Sequence, residues 1–124
     1  MIRSAAHPSE GYDRITFDFR QTLPGYEVGY VSEVVADGSG LPVNVPGRAY
    51  LRVVFRPAQA HNDAGTVAVT PRSKTLDYPQ MRAYAITGDF EGVLTVVLGL
   101  DDVVGFRLGE LPGEPGRIYV DVAA

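Results

Sequence analysis

The sequence predicts an all-β domain, an antiparallel sandwich of two sheets with about eight strands and little or no helix. Short segments alternate apolar and polar residues, turn-forming residues (Gly 14, Pro 9) separate those segments, and no segment has a helical period. With 124 residues, 45% of them hydrophobic and 21% charged, the chain can bury a core unaided. We therefore expect one domain over residues 1–124.

The first strands follow from alternation. Residues 15–19 place Ile15, Phe17 and Phe19 on one side, which is the period of two of a half-buried strand. The pattern recurs from Tyr26 through Tyr30 to residue 36, and its phase predicts that both tyrosines are buried.

A hairpin is predicted next, because residues 37–40 read Asp-Gly-Ser-Gly and can adopt the positive φ of a tight turn. A return strand through Val43 and Val45 should follow. Pro42 and Pro46 cannot donate to a ladder, so this strand is expected at a sheet edge.

The second half of the chain continues the strand pattern. Residues 51–56 alternate well, and a long connection over 58–80, with a short strand through Val67 and Val69, interrupts the pattern. The sheet resumes over 84–90 and passes a turn at 89–92. Residues 93–100 are almost continuously apolar, which predicts a central strand buried on both faces. The last strands are expected at 106–111 and 117–122, with the turn 112–116 between them.

Charge and composition exclude several classes of partner. The formal net charge of -4 lacks the Lys and Arg surplus that nucleic acids or anionic membranes require. Without cysteine there is no disulfide or thiolate metal site. No apolar stretch approaches the roughly 20 residues of a transmembrane helix.

Candidate catalytic groups are few. A metal site at residues 61–63 would have too few ligands, since only His61 and Asp63 are suited to bind a metal. We expect His7, which precedes Pro8, to be a structural or exposed residue. The carboxylates could pair as in glycoside hydrolysis, but nothing in their spacing brings them together: Glu27, Glu33, Asp101 and Asp102. We predict a protein that is not an enzyme and uses no metal or cofactor.

An internal echo links the two ends of the chain. Residues 14–19 and 117–122 both read Arg, apolar, any residue, apolar, Asp, apolar, which places Arg and Asp on the wet face of a strand. If the two strands are antiparallel neighbours, Arg14 faces Asp121 and Arg117 faces Asp18. If the echo reflects a pseudo-twofold sandwich, the strands lie in different sheets.

This echo resembles the AMIN domain, a small β-sandwich that helps to locate cell-wall amidases and secretin components. The chain is most similar to the AMIN-like domain of actinobacterial secreted proteins and lipoproteins, over nearly its whole length, on the segments 7–8, 11–15, 25–28, 88–92 and 117–121. The resemblance implies a two-sheet sandwich, an extracytoplasmic place in the cell envelope and a non-enzymatic role. It supplies no catalytic residue, and it implies a signal or lipid anchor outside this sequence.

The predicted function is therefore binding to a cell-wall polymer such as peptidoglycan, or to an envelope protein. The residues expected to make the contact are Arg14, Arg107, Arg117 and Tyr119, of which Tyr119 is the best candidate for an exposed aromatic contact. Two alternatives stay open. One is strand addition at the edge containing Val43 and Val45, and the other is a small-ligand carrier with a pocket between the sheets. The oligomeric state is also left open.

Overall fold

The structure, a computed structural model, describes residues 2–19, 23–57, 72–90, 92–113 and 115–124. Within these ranges all regular structure is β: β1 Ile2–His7, β2 Tyr12–Phe19, β3 Gly25–Val31, β4 Ala49–Arg56, β5 Ser73–Thr75, β6 Met81–Phe90, β7 Val93–Leu100, β8 Phe106–Leu111 and β9 Gly116–Ala123. No helix in the described ranges has the length and apolar character needed to cross a bilayer.

The strands form two antiparallel sheets that pack face to face as a sandwich. The four-stranded sheet has the order β1-β2-β9-β8, and the five-stranded sheet has the order β3-β4-β7-β6-β5. The two strands of the internal echo, β2 and β9, are neighbours, with Arg14 opposite Asp121 and Asp18 opposite Arg117. The first of the two predicted arrangements is therefore the one that forms.

The core lies between the sheets. The inward-facing residues of β2 and β9, among them Ile15, Phe17 and Val120, pack against those of β4, β6 and β7. Phe17 and Phe19 both contact the ring of Phe55, with centroids 4.9 and 5.2 Å away. Strand β7 is central, between β4 and β6, and its residues from Leu94 to Leu100 are all buried, as predicted.

The connection 32–48 covers the outer face of the five-stranded sheet. Val34 and Val45 are buried there against Ala83, Ala85 and Val97, which form a second apolar cluster. The predicted turn is present: the amide of Gly40, at φ 70°, donates to the carbonyl of Ala36. This cover leaves the two sheets unequal, because the described residues place no comparable segment on the outer face of the four-stranded sheet.

Two predictions, one for residues 43–45 and one for Tyr26, are wrong. The return strand through Val43 and Val45 is reduced to a single bridge between Val35 and Pro42, and its residues lie on a sheet face instead of an edge. Strand addition at that position therefore has no edge to use. Tyr26 faces inward but sits at the rim and is 38% exposed. Its hydroxyl reaches across the sandwich and donates to Glu110, at 3.0 Å.

A buried carboxylate ties the two sheets at one end of the sandwich. Asp13 lies on the core side of β2 with 0% exposure, and its Oδ2 accepts the amide protons of Gln80 and Met81 at 2.8 and 2.9 Å. Met81 begins β6 in the opposite sheet. An acceptor that satisfies two buried amides fixes where β6 starts relative to β2.

The long connection that the sequence predicts is only partly described. Residues 72–80 contain the short strand β5, whose three residues are exposed and pair with β6. The predicted strand at Val67 and Val69 lies outside the described residues, as do His61, Asn62 and Asp63.

Candidate functional site

The outer face of the four-stranded sheet carries the predicted binding residues. Core residues such as Ile15 and Val120 alternate with outward-facing ones, so β2 and β9 turn every second side chain to solvent. We call this surface the arginine–tyrosine face and define it by Tyr12, Arg14, Arg107, Arg117, Tyr119 and Asp121.

Asp121 is the centre of the face. It is only 3% exposed and accepts three hydrogen bonds from two arginines. Arg14 donates through Nε at 2.6 Å and through a terminal nitrogen at 2.9 Å, and Arg107 donates through Nε at 3.0 Å. A carboxylate shared by two guanidiniums holds both in fixed orientations.

These bonds set the titration of the pair. Burial alone raises the pKa of Asp121, but the hydrogen bonds from Arg14 and Arg107 outweigh it and hold that pKa below its ordinary value. The bond to Asp121 also raises the pKa of Arg14. Asp121 is therefore ionised at neutral pH, and the cluster of one carboxylate and two guanidiniums is positive by one charge.

Aromatic rings flank the arginines. The guanidinium of Arg14 lies 4.0 Å from the centroid of the Tyr119 ring and 5.3 Å from that of Tyr12, both within range of cation–π attraction. The guanidinium of Arg107 lies 5.6 Å from the centroid of the same Tyr12 ring. His7 also stacks on the Tyr12 ring, with centroids 4.7 Å apart.

Tyr119 has its place because Gly109 has no side chain. Gly109 lies opposite Tyr119 across the β8–β9 ladder. A Cβ at this position would overlap the tyrosine ring and its hydroxyl, so the ring lies down over the strand. The ring therefore lies on the sheet above Gly109, with the Arg14 guanidinium over it.

Arg117 lies on the same face without joining this cluster. It is opposite Asp18, as predicted for neighbouring strands, but the Asp18 carboxylate pairs with Arg3 at 2.7 Å. No ion pair or hydrogen bond to Arg117 forms within the described ranges, and its Nε is buried without an acceptor. The structure thus brings Arg14, Arg107 and Tyr119 together and leaves Arg117 as a neighbouring cation.

The positive charge of the face is local. Outward positions of β1, β2, β8 and β9 hold four arginines against two aspartates: Arg3, Arg14, Arg107, Arg117, Asp18 and Asp121. The face is thus positive by two charges, on a chain whose net charge is -4. An anionic partner would be drawn to this face and repelled by the chain elsewhere.

Three contributors to the face were not singled out as site residues: Tyr12, Asp121 and Gly109. Tyr12 alternates in phase with Arg14, and Asp121 belongs to the internal echo, so both carried a signal in the sequence. Gly109 carried none, since its role depends on which residue lies opposite it.

Two of the four candidate carboxylates, Glu27 and Asp101, lie far apart. Glu27 pairs with Arg56 at 3.4 Å on the five-stranded sheet. Through Val54 it lies level with Thr95, six residues before Asp101, so the Cα atoms of Glu27 and Asp101 are at least about 20 Å apart. Glycoside hydrolysis needs carboxyl groups about 5–9.5 Å apart. The described residues also contain no group of three or more possible metal ligands.

An opening of about 270 Å³ lies at the edge of the sandwich, where β1 of one sheet faces β5 and β6 of the other, and is lined by Ile2, Arg3, Ser4, Lys74, Tyr78 and Tyr84. Between the sheets the core side chains pack as one cluster. The arginine–tyrosine face, flat and charged, is therefore the surface best suited to contact a large partner.

Comparison with known proteins gives one match. A family model described as AMIN-like domain matches residues 1–124, the whole chain. No curated protein and no solved structure matches.

Proposed function

Because this chain belongs to the AMIN-like domain family, we propose that it is a non-catalytic binding domain of the bacterial cell envelope. The partner we propose is a wall polymer, peptidoglycan in the first place, with an envelope protein as the alternative. An extracytoplasmic location follows from the same proposal. The observation that carries the binding role is the arginine–tyrosine face, which presents tyrosine rings and arginines together on a sheet face that no described segment covers.

The chemistry of the face supports binding in preference to catalysis. Its most buried acid, Asp121, is held by Arg14 and Arg107 and serves as a fixed acceptor. The tyrosine rings offer flat, amphipathic surfaces of the kind that contact sugars and proteins. A rigid sheet positions these groups without requiring a conformational change.

Sedimentation with insoluble peptidoglycan tests the proposal. The purified domain should pellet with it, and Tyr119→Ala should weaken the pelleting at least fivefold while leaving the urea unfolding transition cooperative. Tyr26→Ala is the control, because Tyr26 is an exposed tyrosine at the rim of the other sheet. We expect that variant to pellet like the wild type.

The result can also go against the proposal. If the wild-type domain stays in the supernatant, wall binding is wrong and an envelope protein becomes the leading partner. If both tyrosine variants lose pelleting equally, the contact does not belong to the arginine–tyrosine face.

A further inference from the structure

We infer that the arginine–tyrosine face binds an acidic polysaccharide, whose carboxylates are held by Arg107 and Arg117 on either side of the Tyr119 ring. This inference rests on the proposed function and names the ligand class of the same face. It also divides the arginines into two kinds, since Arg14 is a positioning residue and the other two contact the ligand.

Arg14 is already committed within the protein. Two of its nitrogens donate to Asp121, and its guanidinium covers the Tyr119 ring at 4.0 Å. Its side chain is only 28% exposed. To bind Arg14, a ligand carboxylate would have to displace Asp121, which belongs to the same chain and cannot diffuse away. Arg14 therefore holds the face in shape and does not bind the ligand.

Arg107 and Arg117 have donors to offer. The side chain of Arg107 is 66% exposed, and only its Nε is bonded, so its two terminal nitrogens have no partner in the described part of the chain. Arg117 has neither an ion pair nor a hydrogen bond there, and its Nε lies buried without an acceptor. Two terminal nitrogens of a guanidinium match the two oxygens of a carboxylate.

The register fixes the spacing of these two cations. Arg107 lies opposite Asp121, and Arg117 is four residues from Asp121 along β9, so their Cα atoms are about 14 Å apart. Tyr119 lies midway between Asp121 and Arg117 on β9, with its ring over Gly109. A ligand that bridges the cations must therefore pass over Tyr119 and the Arg14 guanidinium that lies over its ring.

One feature favours a polysaccharide over an acidic peptide, and a second restricts either polyanion to this face. The backbone groups beneath the face are used in the β1-β2-β9-β8 ladders, so a peptide lying across it gains no main-chain hydrogen bonds. The chain as a whole has a net charge of -4, so a polyanion is attracted only where the face is positive.

The test uses polygalacturonate and its methyl ester as probes, which share a backbone and differ in charge. We expect the acidic probe to bind at least tenfold more tightly than the ester, with an affinity that falls as salt rises. Arg107→Gln and Arg117→Gln should each weaken its binding about five- to tenfold. Arg52→Gln is the matched control, because Arg52 is exposed on the opposite sheet, and it should bind like the wild type.

Three outcomes overturn the inference: equal binding of the acid and the ester, unchanged binding by both glutamine variants, or polyglutamate competing as well as polygalacturonate at equal charge. The last result makes an acidic peptide the ligand. The proposed function is tested separately, with peptidoglycan before and after its carboxylates are converted to amides. Equal pelleting with both forms keeps wall binding and refutes the inference, whereas binding polygalacturonate but neither form of peptidoglycan supports the inference and refutes wall binding.

Discussion

Replacing Asp121 with asparagine removes the charge that orders the arginine–tyrosine face while keeping the shape of the side chain. Arg14 donates two charge-assisted hydrogen bonds to this carboxylate, which is 3% exposed, and bonds of this kind contribute about 1.5–3 kcal/mol. Arg107 is 66% exposed, so its pair adds at most about 1 kcal/mol. Because asparagine keeps one acceptor oxygen, we expect the free energy of unfolding to fall by about 2–3 kcal/mol at pH 7.

The effect should depend on pH. The pKa of Asp121 is lower in the folded state than in an unfolded chain, where an aspartate titrates near 3.9. Its contribution to stability is therefore complete above about pH 5 and is lost as the pH falls through the lowered folded-state pKa. Urea unfolding of both proteins from pH 7 to pH 3 should show a gap that narrows below about pH 4.

The matched control is Asp18→Asn, a change at a neighbouring outward position of the same sheet. The Asp18 partner, Arg3, is 52% exposed, so this variant should lose less than about 1 kcal/mol. A difference between the Asp121 and Asp18 variants smaller than about 0.5 kcal/mol would refute the reasoning, as would a gap for Asp121→Asn that stays constant down to pH 3.

Three further changes test other parts of the structure. Gly109→Ala should displace the Tyr119 ring and lower the free energy of unfolding by about 1–3 kcal/mol, whereas Gly29→Ala, with nothing within 4 Å, should change it by less than about 0.5 kcal/mol; equal effects would contradict the packing of the ring. Asp13→Ala removes the acceptor of two buried amides and should cost about 2–4 kcal/mol, with faster hydrogen exchange at the start of β6; unchanged exchange there would mean that the tie between the sheets is unimportant. Phe55→Ala should cost about 3–5 kcal/mol in urea unfolding, because the ring is fully buried among core aromatic residues, and a loss below 1 kcal/mol would place it outside the core.

Much of the fold could be predicted from local patterns. The alternation at 15–19 and 51–56 and the apolar run at 93–100 correspond to β2, β4 and β7. The sequence patterns of these segments predict their burial, because alternation indicates a strand covered on one face and a continuous apolar run indicates a strand covered on both. Strand β1 has no such signal, since Ile2–His7 contains small and polar residues at an edge, and it was not predicted.

The errors arise where long-range packing decides the outcome. Val43 and Val45 have the composition of a strand, yet their apolar surface is buried on the outer face of a sheet that local sequence cannot identify. Tyr26 follows the inward phase of β3, but it sits at the rim, where the sandwich ends. Alternation gives the direction of a side chain and says nothing of how much protein lies above it.

The candidate site was predictable to the extent that its residues repeat a pattern. Arg14 and Asp121 belong to the internal echo, and the alternative of neighbouring strands named their pairing. Arg107 joins them because the register of β8 places it opposite Asp121. Arg117 does not join them, and the Asp18 opposite it pairs with Arg3 instead. Registers between strands distant in sequence are set by the whole sandwich.

The adjacency of β2 and β9 has a consequence for how the domain comes into being. Arg14 and Asp121 are 107 residues apart in sequence, and β9 pairs with both β2 and β8. A nascent chain that has not yet delivered Gly116–Ala123 can assemble β3, β4, β6 and β7, but its β2 and β8 have no common neighbour. Closing so long a loop slows folding. The arginine–tyrosine face therefore cannot form until β9 has been synthesised and has paired with both β2 and β8.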